Sequence, residues 1–312
     1  MKGQHLVAEF LSTPWALQPE RIAAYAGIVA RWQAGEKRSM EDDDGFAKPP
    51  ISSFDARRSE AQSRVGSGAI AVLPLYGTII QRAGMMTEWC GGTSTQQFTA
   101  ALRDALADDS ISQILIDIDS PGGSVYGVGE LCAELYAARG QKNIVAVSNS
   151  LAASAAYWIG CSAAEFYVTP GGEVGSIGVW QAHEDYSAYM EEAGIKTTLI
   201  SAGKFKVEGN PYQPLGEEAQ TFMQSRVEDY YKAFAQGVSK GRGVSISQVR
   251  DGMGQGRVLG ADAALAENMV DGIASFDEVV KKMQRAGKAS AKSAARQTTR
   301  LAAARRDLDL IV

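Results

Sequence analysis

From Ala69 onward, apolar positions along the chain follow two alternating periods. Ala69-Ile-Ala-Val-Leu-Pro-Leu-Tyr76 opens the pattern abruptly and predicts a strand. Ile111 to Ile118 is a near-continuous aliphatic run, as expected of a strand covered on both faces. Ile144–Val147 is a second such run, and Phe166–Val168 and Thr197–Ile200 predict further strands. Between these, helical spacing predicts helices over 124–138 and around 185–193, with an alanine-rich helix over 153–160. After Leu215 the pattern turns helical, through 216–240, 245–253, 259–267 and 276–286. Strand and helix alternating in this way predict an α/β fold with a largely parallel sheet, right-handed crossovers and flanking helices.

The flanks read differently. Residues 1–34 form an N-terminal helical appendage, in which Pro19 precedes the amphipathic stretch ERIAAYAGIVARW. Residues 35–66 are charged and poor in aliphatics, the composition of a flexible linker. The globular domain is expected over 67–282, and residues 283–312 are a basic tail rich in Ala, Ser and Lys.

Composition narrows the function. A chain of 312 residues can bury a full core, and its net charge of −5 argues against a nucleic-acid partner. The three cysteines, Cys90, Cys132 and Cys161, are odd in number and form no CxxC pair, which fits a reduced compartment and packing roles. The N-terminus carries no secretory pattern, and no apolar run reaches the length of a membrane span. A cytoplasmic protein without a membrane anchor is the expectation.

Four segments carry residues able to do chemistry. Asp117-Ile-Asp-Ser-Pro-Gly-Gly-Ser124 follows a buried strand and precedes a helix. Its proline and glycines permit a sharp turn that leaves backbone N–H groups facing outward, donors suited to an oxyanion. The plain alternative is a strand-to-helix turn, and the GxGxxG and GxxxxGK nucleotide spacings are absent from it. Asn149-Ser-Leu-Ala-Ala-Ser-Ala-Ala-Tyr-Trp158 sets Ser154 between alanine pairs, small enough to admit another chain, with the Ala155 N–H beside the hydroxyl. The alternative is an Ala/Ser helix start packed on the sheet. Val174-Gly-Ser-Ile-Gly178 is a third glycine-flanked serine, equally readable as a tight turn. Ser201-Ala-Gly-Lys-Phe-Lys-Val-Glu-Gly-Asn-Pro211 offers Lys204 and Lys206, which on a surface would be ordinary solvated groups.

A nucleophilic serine needs a base. Histidine is poorly placed, because only His5, in the appendage, and His183, at the start of a helix, are present. Lysine can serve when burial disfavours its charged form. The residues leave open which of the two lysines would do so.

Taken together and in this order, DSPGGS, SLAASAAYW, VGSIGV and SAGKFKVEGNP resemble the signal peptide peptidase A family of serine–lysine proteases over roughly residues 67–280. The resemblance extends to Gly256-Arg-Val-Leu-Gly-Ala-Asp-Ala-Ala and Asn268-Met-Val-Asp-Gly. It implies a Clp-protease/crotonase type of α/β fold and no metal or organic cofactor. Ser154 matches the nucleophile, Lys206 the general base and Ser176 the serine that orients the amine. Gly122 and Ala155 match the oxyanion hole, with Ala155-Ala156 standing where many members have two glycines.

The N-terminal unit and GKFKVEGNPYQPL look like the tailed-phage branch, the head maturation proteases. That implies scaffold and head proteins as substrates, self-processing, a tail that begins a scaffold region, a homo-oligomeric ring, and a place in the host cytoplasm within the procapsid. The alternatives are a bacterial cytoplasmic peptidase of the same family that degrades signal peptides, and a crotonase-type acyl-CoA enzyme that uses Asp or Glu. A scaffold or assembly protein with a dead site is the non-enzymatic one.

Overall fold

The computed structural model describes residues 13–18, 68–83 and 92–289. The expected linker, nearly all of the helical appendage and residues 290–312 lie outside the described residues. The large sheet is built on β2 (Ala69–Tyr76), β5 (Ile111–Ser120) and β7 (Asn143–Ala153), paired side by side in parallel. Beyond β7 lie β8 (Glu165–Val168) and β9 (Glu173–Gly175), both parallel to it; β8 pairs with its first half and β9 with its last residues. β10 (Val258–Gly260) closes one edge antiparallel to β9, and β11 (Gly272–Ile273) adds in parallel to β8. A second, small sheet joins β1 (Trp15–Leu17), β6 (Gly122–Ser124), β3 (Ile79–Ile80) and β4 (Thr93–Ser94) in the order β1-β6-β3-β4. The expected mixed α/β architecture with a largely parallel sheet is thus what the chain forms.

The central strands are covered on both faces, which is why they read as unbroken aliphatic runs. Ile114, Ile116 and Ile118 of β5, with Ile144 and Ala146 of β7, enter the larger core. Leu115, Val145 and Val147 point the other way, onto Val279 and Met283 of a helix spanning 276–289. The larger core is roofed by α1 (Thr95–Ala107), α2 (Val128–Ala138), α3 (Ala155–Gly160) and α5 (Glu217–Arg242). α1 starts where the Ser94 hydroxyl accepts the Gln97 N–H, and it buries Phe98, Leu102 and Ala105 on one stripe. Residues 187–192 form α4, a short exposed helix. α5 has Glu217 and Glu218 in its first turn, Lys240 and Arg242 in its last, and Gly243 in the left-handed region just beyond, so both ends suit the helix dipole and the stop. Midway, Phe234 stacks on Trp158 of α3 at 5.0 Å between ring centroids, and Gly237 leaves the space that the indole fills.

The expected strand over Thr197–Ile200 does not form. Residues 193–216 contain neither helix nor strand, and Ile200 is 95% exposed. A local β-like pattern needs a neighbouring strand to become a ladder, and this one has none among the described residues.

The far end of α5 is tied back to the sheet by one ion pair. Arg242 reaches Asp271 in a bidentate contact of 2.7 and 2.9 Å, while Asp271 also accepts the Phe166 N–H of β8 at 2.7 Å. Burial pushes the Asp271 carboxyl up, but the Arg242 and Phe166 donors and the Arg242 charge outweigh it and hold the group below its ordinary value. A depressed carboxylate stabilises the fold above its unfolded pKa and loses that contribution as pH falls through the folded one. Asp271→Asn is therefore expected to cost about 1–3 kcal/mol near neutral pH. Thermal melts from pH 7 to 3 should show its gap from wild type closing only at the acid end; a gap independent of pH would show that charge is not what the contact supplies.

Candidate active site

β5 ends at Ser120, and Pro121 turns the chain into Gly122 at φ +97°, where β6 begins. A side chain is excluded there: a methyl on Gly122 would lie 2.2 Å from the Ala16 carbonyl oxygen and 2.9 Å from Ser154 Cβ. At Gly123 it would meet the Ile79 carbonyl at 1.9 Å. The two glycines of DSPGGS are thus required by close approach of β1, β3 and the serine, and the turn is more than a connection.

Ser154 stands at the junction of β7 and α3 with φ +57° and ψ −119°, a conformation that costs a non-glycine residue about 1–3 kcal/mol. Its amide donates to the Gly175 carbonyl at 2.7 Å, and its own carbonyl accepts the Trp158 N–H at 3.0 Å. The hydroxyl makes one long contact, 3.5 Å to the Gly178 carbonyl. Ala152, Ala153, Ala155 and Ala156 around it are fully buried, so larger residues have no room. Ala155 supplies the first amide of α3, which has no acceptor inside its helix. Ser154, Ala155 and Gly122 are therefore brought together. The Gly122 amide is held at 3.2 Å by the Ser120 hydroxyl, a neutral acceptor that a charged oxyanion would outcompete.

Ser176 follows β9 at φ +53°, and its amide donates to the Arg257 carbonyl at 2.8 Å. Because Gly175 pairs with Ala153 and accepts from Ser154, Ser176 lies one residue beyond the contact that positions Ser154. The lysines lie on the segment 193–216. Lys204 is exposed, pairs with Glu218 at 3.0 Å and lies over the Phe205 ring at 4.3 Å. Lys206 is exposed too, and its backbone amide closes a turn on the Gly203 carbonyl at 3.2 Å. Among the described residues no hydrogen bond links the Lys206 side chain with Ser154 or Ser176. His183, half-buried and outside that segment, contacts the Asn210 carbonyl within it through Nε2 at 3.1 Å. Of the two carboxylates just before the glycine turn, Asp119 is exposed, while Asp117 is buried and accepts the Tyr76 hydroxyl. No cluster of three or more metal-ligating side chains occurs among the described residues.

One neighbour of the site was not legible in the motifs. β1 lies antiparallel to β6, Ala16 opposite Gly123 and Leu17 opposite Gly122, and Trp15 and Trp180 exchange backbone hydrogen bonds of 2.8 and 3.0 Å on its other side. The available signal was the pair Pro14 and Pro19, which disfavours helix between them.

Comparison with known proteins finds relatives over most of the chain. Residues 137–290 match the model of peptidase family S49. Capsid assembly protease C of Escherichia phage lambda is 32% identical over 280 residues, a match covering 86% of this chain and 63% of that protein. Head-tail preconnector protein GP5 of Enterobacteria phage P21 is 30% identical over 277 residues, covering 86% of this chain and 55% of the relative. Protease 4 of Haemophilus influenzae is 31% identical over 218 residues, covering 69% of this chain and 34% of its own. The chain thus spans less than two thirds of the length of each. No helix among the described residues is long and apolar enough to cross a membrane.

Gly122→Ala should lower kcat/KM at least about a hundredfold, the usual effect of losing one oxyanion donor, because the methyl must push β6 away from Ser154. Gly140→Ala, which meets nothing within 4 Å, should leave both kcat/KM and melting temperature unchanged. Equal behaviour of the two variants would rule out a close-approach role for Gly122.

Proposed function

We propose that the chain is a serine endopeptidase working through a serine–lysine pair, with Ser154 as nucleophile, Lys206 as general base and Ser176 orienting its amine. The left-handed Ser154 beside the Gly122 turn is the observation that carries this reading. Neutral Lys206 takes the proton from the Ser154 hydroxyl as Oγ bonds to the scissile carbonyl carbon. Gly122 and Ala155 donate their N–H groups to the resulting oxyanion. The tetrahedral intermediate expels the amine, which leaves with the proton returned from the lysine. Water then hydrolyses the ester, again with the lysine as base, and frees Ser154. No metal or organic cofactor enters this scheme.

A lysine serves as base only where desolvation keeps its amine neutral. Lys206 is exposed in the single chain, on a segment that also exposes Ile195, Ile200 and Phe205. That exposed apolar surface supports a homo-oligomer as the working form, in which copies of the chain would bury it. Similarity to the phage proteins supports scaffold and head proteins as substrates, with self-processing, in a procapsid within the host cytoplasm. As for the crotonase alternative, Asp117 is buried and bonded to Tyr76, so that carboxylate is not available as its acid or base.

Intact-mass analysis of wild type, Ser154→Ala, Lys206→Ala and Lys204→Ala tests the pair. The first two substitutions should lower processing at least about a thousandfold, and Lys204→Ala less than about threefold. Loss only in Lys204→Ala would transfer the base role to that residue.

A further inference from the structure

We infer that the groove between β6 and Trp180 binds extended apolar peptide, and that residues 13–18 of the chain itself are its resident ligand, which substrate must displace. The inference rests on the peptidase reading above. Its starting point is accessibility: Ser154 is only 1% exposed. A nucleophile sealed to that degree cannot meet a polypeptide until something moves.

What lies against it is β1. The Ala16 carbonyl and Ser154 Cβ would both fall within 3 Å of a methyl on Gly122, so the strand runs directly beside the oxyanion turn and the nucleophile. Its backbone is satisfied on both sides. Towards β6 it runs antiparallel, and Gln18 donates to the Pro121 carbonyl at 3.1 Å while the Pro14 carbonyl accepts from Val125 at 3.4 Å. On the other side Trp15 exchanges two backbone bonds with Trp180, whose indole N–H also donates to the Leu17 carbonyl at 2.8 Å.

Adding an extended strand to open backbone edges is how peptides are held without dependence on their full sequence. The β6 edge is made of Gly122 and Gly123, so recognition there is by main chain. Selectivity must come from the enclosure around the side chains. Trp15, Ala16 and Leu17 are all buried in it, and none is charged. The occupant therefore reports the class of substrate: an uncharged, apolar stretch in extended form.

The strand is also suited to leave. It is three residues long, and residues 19–67 separate it from the described start of the domain at Gly68. Covalent attachment raises its effective concentration, so weak pairing suffices to keep the groove filled until a better or more concentrated peptide competes. A strand that belonged permanently to the core would instead be needed for the groove to exist at all, and the two roles predict opposite effects of weakening it.

The probe is a fluorescein-labelled peptide of residues 11–20, LSTPWALQPE, measured by anisotropy against full-length Ser154→Ala protein with and without Ala16→Pro. Proline removes a mid-strand N–H and so weakens β1 while leaving the groove intact. Binding should tighten at least tenfold in the Ala16→Pro protein; unchanged or weaker binding there, or no binding to either protein, overturns the inference. Because Ala16→Pro could unfold the domain, a second measurement uses the Ser154→Ala chain with β1 unaltered. Saturating peptide should speed amide exchange at Trp15 and Gln18 at least tenfold, and amides that stay equally protected overturn the inference. A small fluorophosphonate on the chain with Ser154 intact separates the two ideas. Labelling of Ser154 without displacement of β1 sinks the groove inference alone. Displacement without labelling, at a protein concentration where the copies associate, sinks the nucleophile and leaves the groove.

Discussion

The site depends on one backbone hydrogen bond, the 2.7 Å contact from the Ser154 amide to the Gly175 carbonyl. It holds the serine in the left-handed region at the moment β7 becomes α3, a conformation that a serine does not keep unaided. For that acceptor to be present, β9 must lie parallel to the last residues of β7, and β9 is itself braced by antiparallel β10. Residues distant in sequence thus converge on one dihedral angle. The strain stored there is small beside the burial of β5 and β7, which is why the sheet tolerates it.

The same constraint dictates the small residues around it. With the serine turned out of the helical path, the oxyanion turn approaches so closely that Gly122 and Gly123 leave no space for a methyl, and the flanking alanines are sealed. Ala155 is fully buried, and as the first residue of α3 its amide has no acceptor inside the helix. Gly237 serves a comparable purpose at a distance: it lets α5 close on Trp158, and the Trp158–Phe234 stack then anchors the helix that Ser154 begins.

Much of this was legible in the chain. The aliphatic runs of β5 and β7 name the central strands because burial on both faces leaves no polar alternation. The glycine and alanine segments mark Gly122, Ser154, Ala155 and Ser176 because tight geometry admits few residue types. The failures have a common cause in non-local pairing. Thr197–Ile200 has strand-like residues but no partner, so it stays outside the sheet. Trp15–Leu17 has an undistinguished sequence but meets Gly122–Ser124, more than a hundred residues away, and becomes a strand through that partner. The Arg242–Asp271 contact was invisible for the same reason, since neither residue belongs to a pattern that points to the other. Lys206 is the reverse case: its motif is local and readable, but nothing in that motif fixes its burial, and the side chain stands exposed.

On the proposed reading, a lone chain is idle for two separate reasons. Its nucleophile is covered by its own β1, and its base stands exposed to solvent. Neither obstacle removes the other: displacing the strand would leave Ser154 without a base, and burying Lys206 would leave the groove filled. Activity then requires both assembly and a competing apolar peptide, two conditions met together only where many copies and their substrates are concentrated in one place. The two-part block places that control in the geometry of the site itself, in a glycine edge that accepts any extended strand and a lysine that one chain cannot bury.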